Sequence, residues 1–136
     1  MPSPDGAEPA DRLTFDLRGY EVTYLHIDYR FAFDCLKPPD KGHLQVIVEA
    51  PFTISSGGQT RRFDPESAAT LGDALLILHR SLQSLTTYRN GLLIVAFADG
   101  SQLTVEPQGP YTSWEATGTG ELSDIRFLCD GGSPLW

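Results

Sequence analysis

The chain has 136 residues, 40% of them apolar and 10% aromatic, which suits one globular domain with a real core and is too apolar for disorder. Its formal net charge is −8, and its ten basic residues are scattered, with Arg61-Arg62 the only adjacent pair, which argues against nucleic-acid binding. No apolar run approaches the roughly 18 residues of a membrane span, so no membrane partner is expected.

Residues 1–12, MPSPDGAEPADR, lack the basic start and apolar centre of a signal peptide. They read as a disordered tail before a single α+β domain over residues 13–136, with a cytoplasmic location by default. From Val22 to Leu36 the chain alternates. Leu25, Ile27, Tyr29, Phe31, Phe33 and Cys35 share one parity, and Tyr24, His26, Asp28, Arg30 and Asp34 the other. That is one long strand, or two joined by a tight turn near Asp28–Arg30. The prolines of Lys37–Gly42 make a loop. His43–Glu49, Phe52–Ser55 and Thr60–Phe63 read as strands, the last two joined by a turn at Ser56-Gly57-Gly58-Gln59. Asp64-Pro65-Glu66 then has the chemistry of a helix start, with Asp as N-cap and Pro in the first turn. Ala68, Leu71, Leu75, Leu78 and Leu82 recur at spacings of three and four, which predicts one amphipathic helix covering a face of the sheet.

Ser84–Arg89 is extended, and Asn90-Gly91 signals a turn into the stretch that organises the rest, GLLIVAFADGSQLTV over Gly91–Val105. Leu92–Phe97 is unbroken apolar sequence and Asp99-Gly100 is a hairpin signal. A two-residue turn pairs Ala96 with Leu103. A three-residue turn with Gly100 as a bulge pairs Val95 with Leu103 and Leu93 with Val105, and is preferred because it gathers the bulkier side chains on one face. Since the opposite face of Leu92–Phe97 is also apolar, the strand is expected to be covered on both sides. Tyr111–Thr117 and Leu122–Cys129 complete the strands, with Trp114 in the core and Glu115 exposed. The fold expected is α+β, a mostly antiparallel curved sheet or two packed sheets of about eight to ten strands with a single amphipathic helix.

Phe97-x-Asp99-Gly100-x-x-Leu103-x-Val105-x-Pro107, Tyr111-x-x-Trp114-Glu115, Thr117-Gly118, Cys129-x-Gly131-Gly132 and Trp136 together resemble a family of small actinobacterial proteins of unknown function. The likeness extends more loosely through Gly19–Phe33, Pro51-Phe52-Thr53 and Asp64-Pro65, and departs at Asp130, where a proline is expected. The resemblance supplies no catalytic residues. Similar small acidic domains occur beside secreted-toxin genes as immunity proteins, which implies an immunity-like role.

Cys35 and Cys129 read as buried thiols, able to pair only if their strands are neighbours. No P-loop, nucleophile elbow or spaced metal-ligand motif is present, so no catalytic residue, cofactor or metal is assigned. His26, Asp28, Arg30 and Asp34 read as the solvated side of an amphipathic strand, with an acid–base or metal-binding face as the sharper alternative. The function expected is non-enzymatic protein binding through an acidic surface. Glu106, Tyr111, Glu115, Glu121 and Asp124 are the candidate contacts for a basic protein partner. The alternative is a small-ligand-binding protein or isomerase-like enzyme with a pocket in the curved sheet lined by Tyr24, His26, Tyr29 and Tyr88. A homodimer through exposed strand edges is a third possibility.

Overall fold

The computed structural model describes residues 12–107, 112–130 and 133–134. It contains twelve strands: β1 Arg12–Asp16, β2 Glu21–Ile27, β3 Phe31–Lys37, β4 Gly42–Val48, β5 Phe52–Ser56, β6 Gln59–Phe63, β7 Leu82–Tyr88, β8 Leu93–Phe97, β9 Gln102–Val105, β10 Trp114–Gly120, β11 Arg126–Asp130 and β12 Ser133–Pro134. They form two open six-stranded antiparallel sheets, ordered β1-β7-β8-β9-β5-β6 and β12-β11-β10-β4-β3-β2. The protein is therefore mostly β, with more strands than the sequence suggested. β1 lies where no strand was expected, and the proposed tail before it falls outside the described residues apart from Arg12.

Alternation explains the layers. β4 buries Leu44, Val46 and Val48 and leaves the residues between them half-buried, while β8 does the same with Leu93, Val95 and Phe97. The two inner faces share one apolar core. Phe31 of the second sheet stacks on Phe52 of the first, ring centroids 5.0 Å apart. Trp114 Nε1 of the second sheet donates to the Gly91 carbonyl, 2.7 Å away in the β7–β8 turn. Cys35 and Cys129 are buried and not disulfide-bonded, on β3 and β11, with β4 and β10 between them.

The preferred hairpin register is the observed one: Val95 pairs with Leu103 and Leu93 with Val105. Gly100 sits at φ 92°, where a Cβ is strained, and its N–H donates to the Phe97 carbonyl. The long alternating stretch splits into β2 and β3 at Asp28–Arg30. There Asp28 Oδ1 accepts the Arg30 backbone N–H at 2.8 Å, closing the turn.

Two expectations are corrected. Leu92–Phe97 is covered on one side only: Ile94 and Ala96 are half-exposed on the outer face. A two-layer sandwich covers each sheet from inside, and the outer face of β8 carries only partly buried side chains. The segment expected to cover it is instead a 3-10 helix, Ala68–Ile77, set against β2 and β6. It buries Leu71, Ala74 and Ile77, a spacing of three that matches three residues per turn. Leu75, Leu76 and Leu78, which a helix of 3.6 residues per turn would draw inward, are exposed. The intended N-cap, Asp64, accepts the Glu66 N–H with Oδ1 and so closes a turn ahead of the helix. No helix among the described residues is long and apolar enough to cross a membrane.

Candidate functional site

The second sheet ends in β2, an edge strand, and its outer face carries the polar parity of the β2–β3 hairpin. An irregularity in β2 between Val22 and Tyr24 shifts the pairing by one residue, so that Tyr24 faces Asp34 and His26 faces Ala32. Asp34 also pairs with Gln45 of β4, and Leu36 with His43. This register converges two imidazoles on one carboxylate: Asp34 Oδ2 is 3.6 Å from His26 Nε2 and 3.6 Å from His43 Nε2. Asp34 Oδ1 is buried and accepts no hydrogen bond among the described residues. The Tyr24 ring lies over His26, centroids 4.4 Å apart. Beside this trio the outer face exposes Tyr24 and Leu36, and Tyr29 is 83% exposed at the turn, while Ile27, opposite Phe31, is exposed on the other face of the strand. Among the described residues no group of three His, Cys, Asp or Glu is placed to hold a metal ion.

A cleft of about 510 Å3 opens at the start of β2, walled by Tyr20, Leu36, Pro38 and Pro39. Behind it, Glu121 Oε1 accepts from the buried Tyr20 hydroxyl at 2.8 Å and from Lys37 Nζ at 3.1 Å. Burial first, and the bond to Glu121 second, push the Tyr20 hydroxyl far above its ordinary pKa. The same bond from Tyr20, followed by that from Lys37, holds Glu121 below the ordinary carboxylate value. Tyr20 is fixed further by Gly42, where an added Cβ would lie 2.4 Å from the Tyr20 oxygen. Glu21 and Asp40 also line the cleft, Glu21 Oε2 lying 3.3 Å from His79 Nδ1.

The candidate partner contacts are spread over the molecule. Glu115 is half-buried on the outer face of β10, flanked by Ile47 and Leu128 on the strands beside it. Glu121 and Asp124 occupy the β10–β11 turn, and Glu106 follows β9 in the other sheet. Tyr111 lies outside the described residues. Of the alternative pocket residues, Tyr24 and His26 touch, Tyr29 is in the β2–β3 turn, and Tyr88 ends β7 in the opposite sheet. The space between the sheets is filled by core side chains, and the cleft lies outside it. Sequence reasoning missed the meeting of Asp34 with His43. The Lys37–Gly42 loop held the signal: pairing Lys37 with Gly42 and counting back sets Leu36 opposite His43, with Asp34 two residues along the same face.

Neither the curated proteins nor the solved structures gave a match to this chain. A family model does match, over residues 13–130, which spans nearly all of both sheets. The chain therefore belongs to the family described as a family of unknown function, DUF6188.

Proposed function

We propose that this chain is a non-enzymatic protein-binding domain that meets a basic partner on the outer face of the β2–β3 hairpin. The observation that carries the reading is the exposure of Tyr24 and Leu36 on the outer face of an edge hairpin, with Tyr29 exposed at its turn, in a protein with net charge −8. Aromatic side chains are enriched at interfaces, and an edge strand offers its backbone to an added strand. The net charge steers a basic protein toward the surface. An immunity-like role, in which this surface covers a basic toxin, is the specific form of the reading. His26, Asp34 and His43 lie on an open sheet face and outside the cleft, an arrangement that suits recognition better than chemistry requiring exclusion of water.

The test is capture of a cognate basic protein at low salt, followed by binding of the two purified proteins. Tyr24→Ser with Tyr29→Ser is expected to weaken binding at least about tenfold, and added salt to weaken it further. Undiminished binding by the double variant, indifference to salt, or capture of no partner overturns the proposal. A second reading, a small-ligand-binding protein or isomerase-like enzyme, is favoured by the 510 Å3 cleft beside Tyr20.

A further inference from the structure

We infer that the cleft at the start of β2 receives one cationic side chain, an arginine or lysine of the basic partner; this rests on the protein-binding reading above. Its volume, about 510 Å3, lies within the roughly 300–1,000 Å3 typical of ligand sites. Tyr20, Leu36, Pro38 and Pro39 form walls suited to the methylene stem of a long basic side chain. The charges of the lining decide the sign of the occupant. Three charged side chains line the cleft: Glu21, Lys37 and Asp40. Lys37 is already matched, with Nζ 3.1 Å from Glu121 Oε1 and 5.7 Å from the centre of the Tyr20 ring. Glu21, whose Oε2 also lies 3.3 Å from His79 Nδ1, and Asp40 leave the lining net negative, a field that repels an anion.

Asp40 holds φ 138°, a backbone conformation that residues other than glycine rarely adopt, in the turn that brings it into the cleft's lining. Leu36 identifies the source of the cation. It lines the cleft, and it stands on the same outer face as Asp34 in the next inward-skipping position of β3. The cleft is therefore continuous with the exposed hairpin face, and a protein lying on Tyr24 and Leu36 has the cleft within reach of its side chains.

The experiment titrates the full chain, with its backbone amides followed by NMR, against N-acetyl-arginine amide and against the citrulline amide, its neutral isostere. The arginine compound is expected to shift the amides of Tyr20, Glu21, Lys37 and Asp40, and the citrulline compound to leave them unmoved. Glu21→Gln with Asp40→Asn, both at exposed positions, should weaken the arginine response at least about fivefold while the rest of the spectrum is retained. Equal response to both compounds, no response to arginine, or an unchanged response in the double variant overturns the inference. If a captured partner binds that variant with undiminished affinity, the cleft assignment fails and the protein-binding reading stands. If arginine fills the cleft and no protein partner is captured, the reverse holds.

Discussion

Trp114 adds a hydrogen bond to the packing that joins the two layers. Its ring is fully buried in the second sheet, while its Nε1–H satisfies a carbonyl of the first, at Gly91. Such a side chain contributes both apolar area and the one polar contact a buried carbonyl requires. Trp114→Phe keeps most of the area, leaves the Gly91 carbonyl without its donor and opens a small void. A loss on the order of 2–4 kcal/mol is expected, since an unmet buried group alone costs about 1–3 kcal/mol. Urea denaturation measures it, and a loss under about 1 kcal/mol would show that the indole N–H does not bind the layers together. Asp34 illustrates the opposite case. Its Oδ1 stays without a donor while Oδ2 sits between two imidazoles, so the polar residues of this face are arranged around a carboxylate. That arrangement was hidden in the sequence because its three members come from three strands, and only the register unites them.

At the level of elements, turn chemistry was the most readable part of the chain. Asp99-Gly100 set the β8–β9 register, because the position at φ 92° admits glycine at no steric cost. The segment after Asp64 was misread because leucines three and four apart satisfy an α-helical stripe, while Leu71, Ala74 and Ile77 satisfy a three-residue stripe in the same ten positions. Spacing alone does not separate the two, since this region has apolar residues on both tracks. Substitution does. Ile77→Ala should cost about 2–4 kcal/mol, as for other buried aliphatic truncations. Leu75→Ala, at a position 42% exposed, should cost less than about 1 kcal/mol. The reverse order in thermal or chemical denaturation would restore the α-helical stripe. The burial of β8 was also overread. Apolar Ile94 and Ala96 looked like core, yet they lie half-exposed beside Thr86, Thr104 and Ser84 on the neighbouring strands.

For the whole molecule, the sandwich places both thiols in one interior. Cys35 and Cys129 are fully buried, and burial pushes the Cys35 thiol far above its ordinary pKa. Neither is reachable until the layers part. Labelling by a thiol reagent should therefore find no reactive thiol in the native protein and two after denaturation, with the native rate falling as stability is raised. Rapid labelling of one thiol under native conditions would mean that one sheet opens locally. The sequence showed that these cysteines were apolar-faced, but their separation by two strands depends on which strands neighbour which, and alternation carries no information about order.

That order has a consequence for synthesis on the ribosome. The second sheet takes β2, β3 and β4 from the early part of the chain and β10, β11 and β12 from its last portion, while β5–β9 between them build the other layer, with β1 at its edge beside β7. When the nascent polypeptide has delivered β4, that strand's remaining edge has no neighbour until Trp114 and its strand emerge. The half-built second sheet waits with an open edge, while the first has all its strands once β9 emerges but keeps part of its apolar face uncovered until β10 and β11 arrive. Completion is thus a late event dominated by distant pairings, the kind of topology that folds slowly and leaves its incomplete forms open to aggregation.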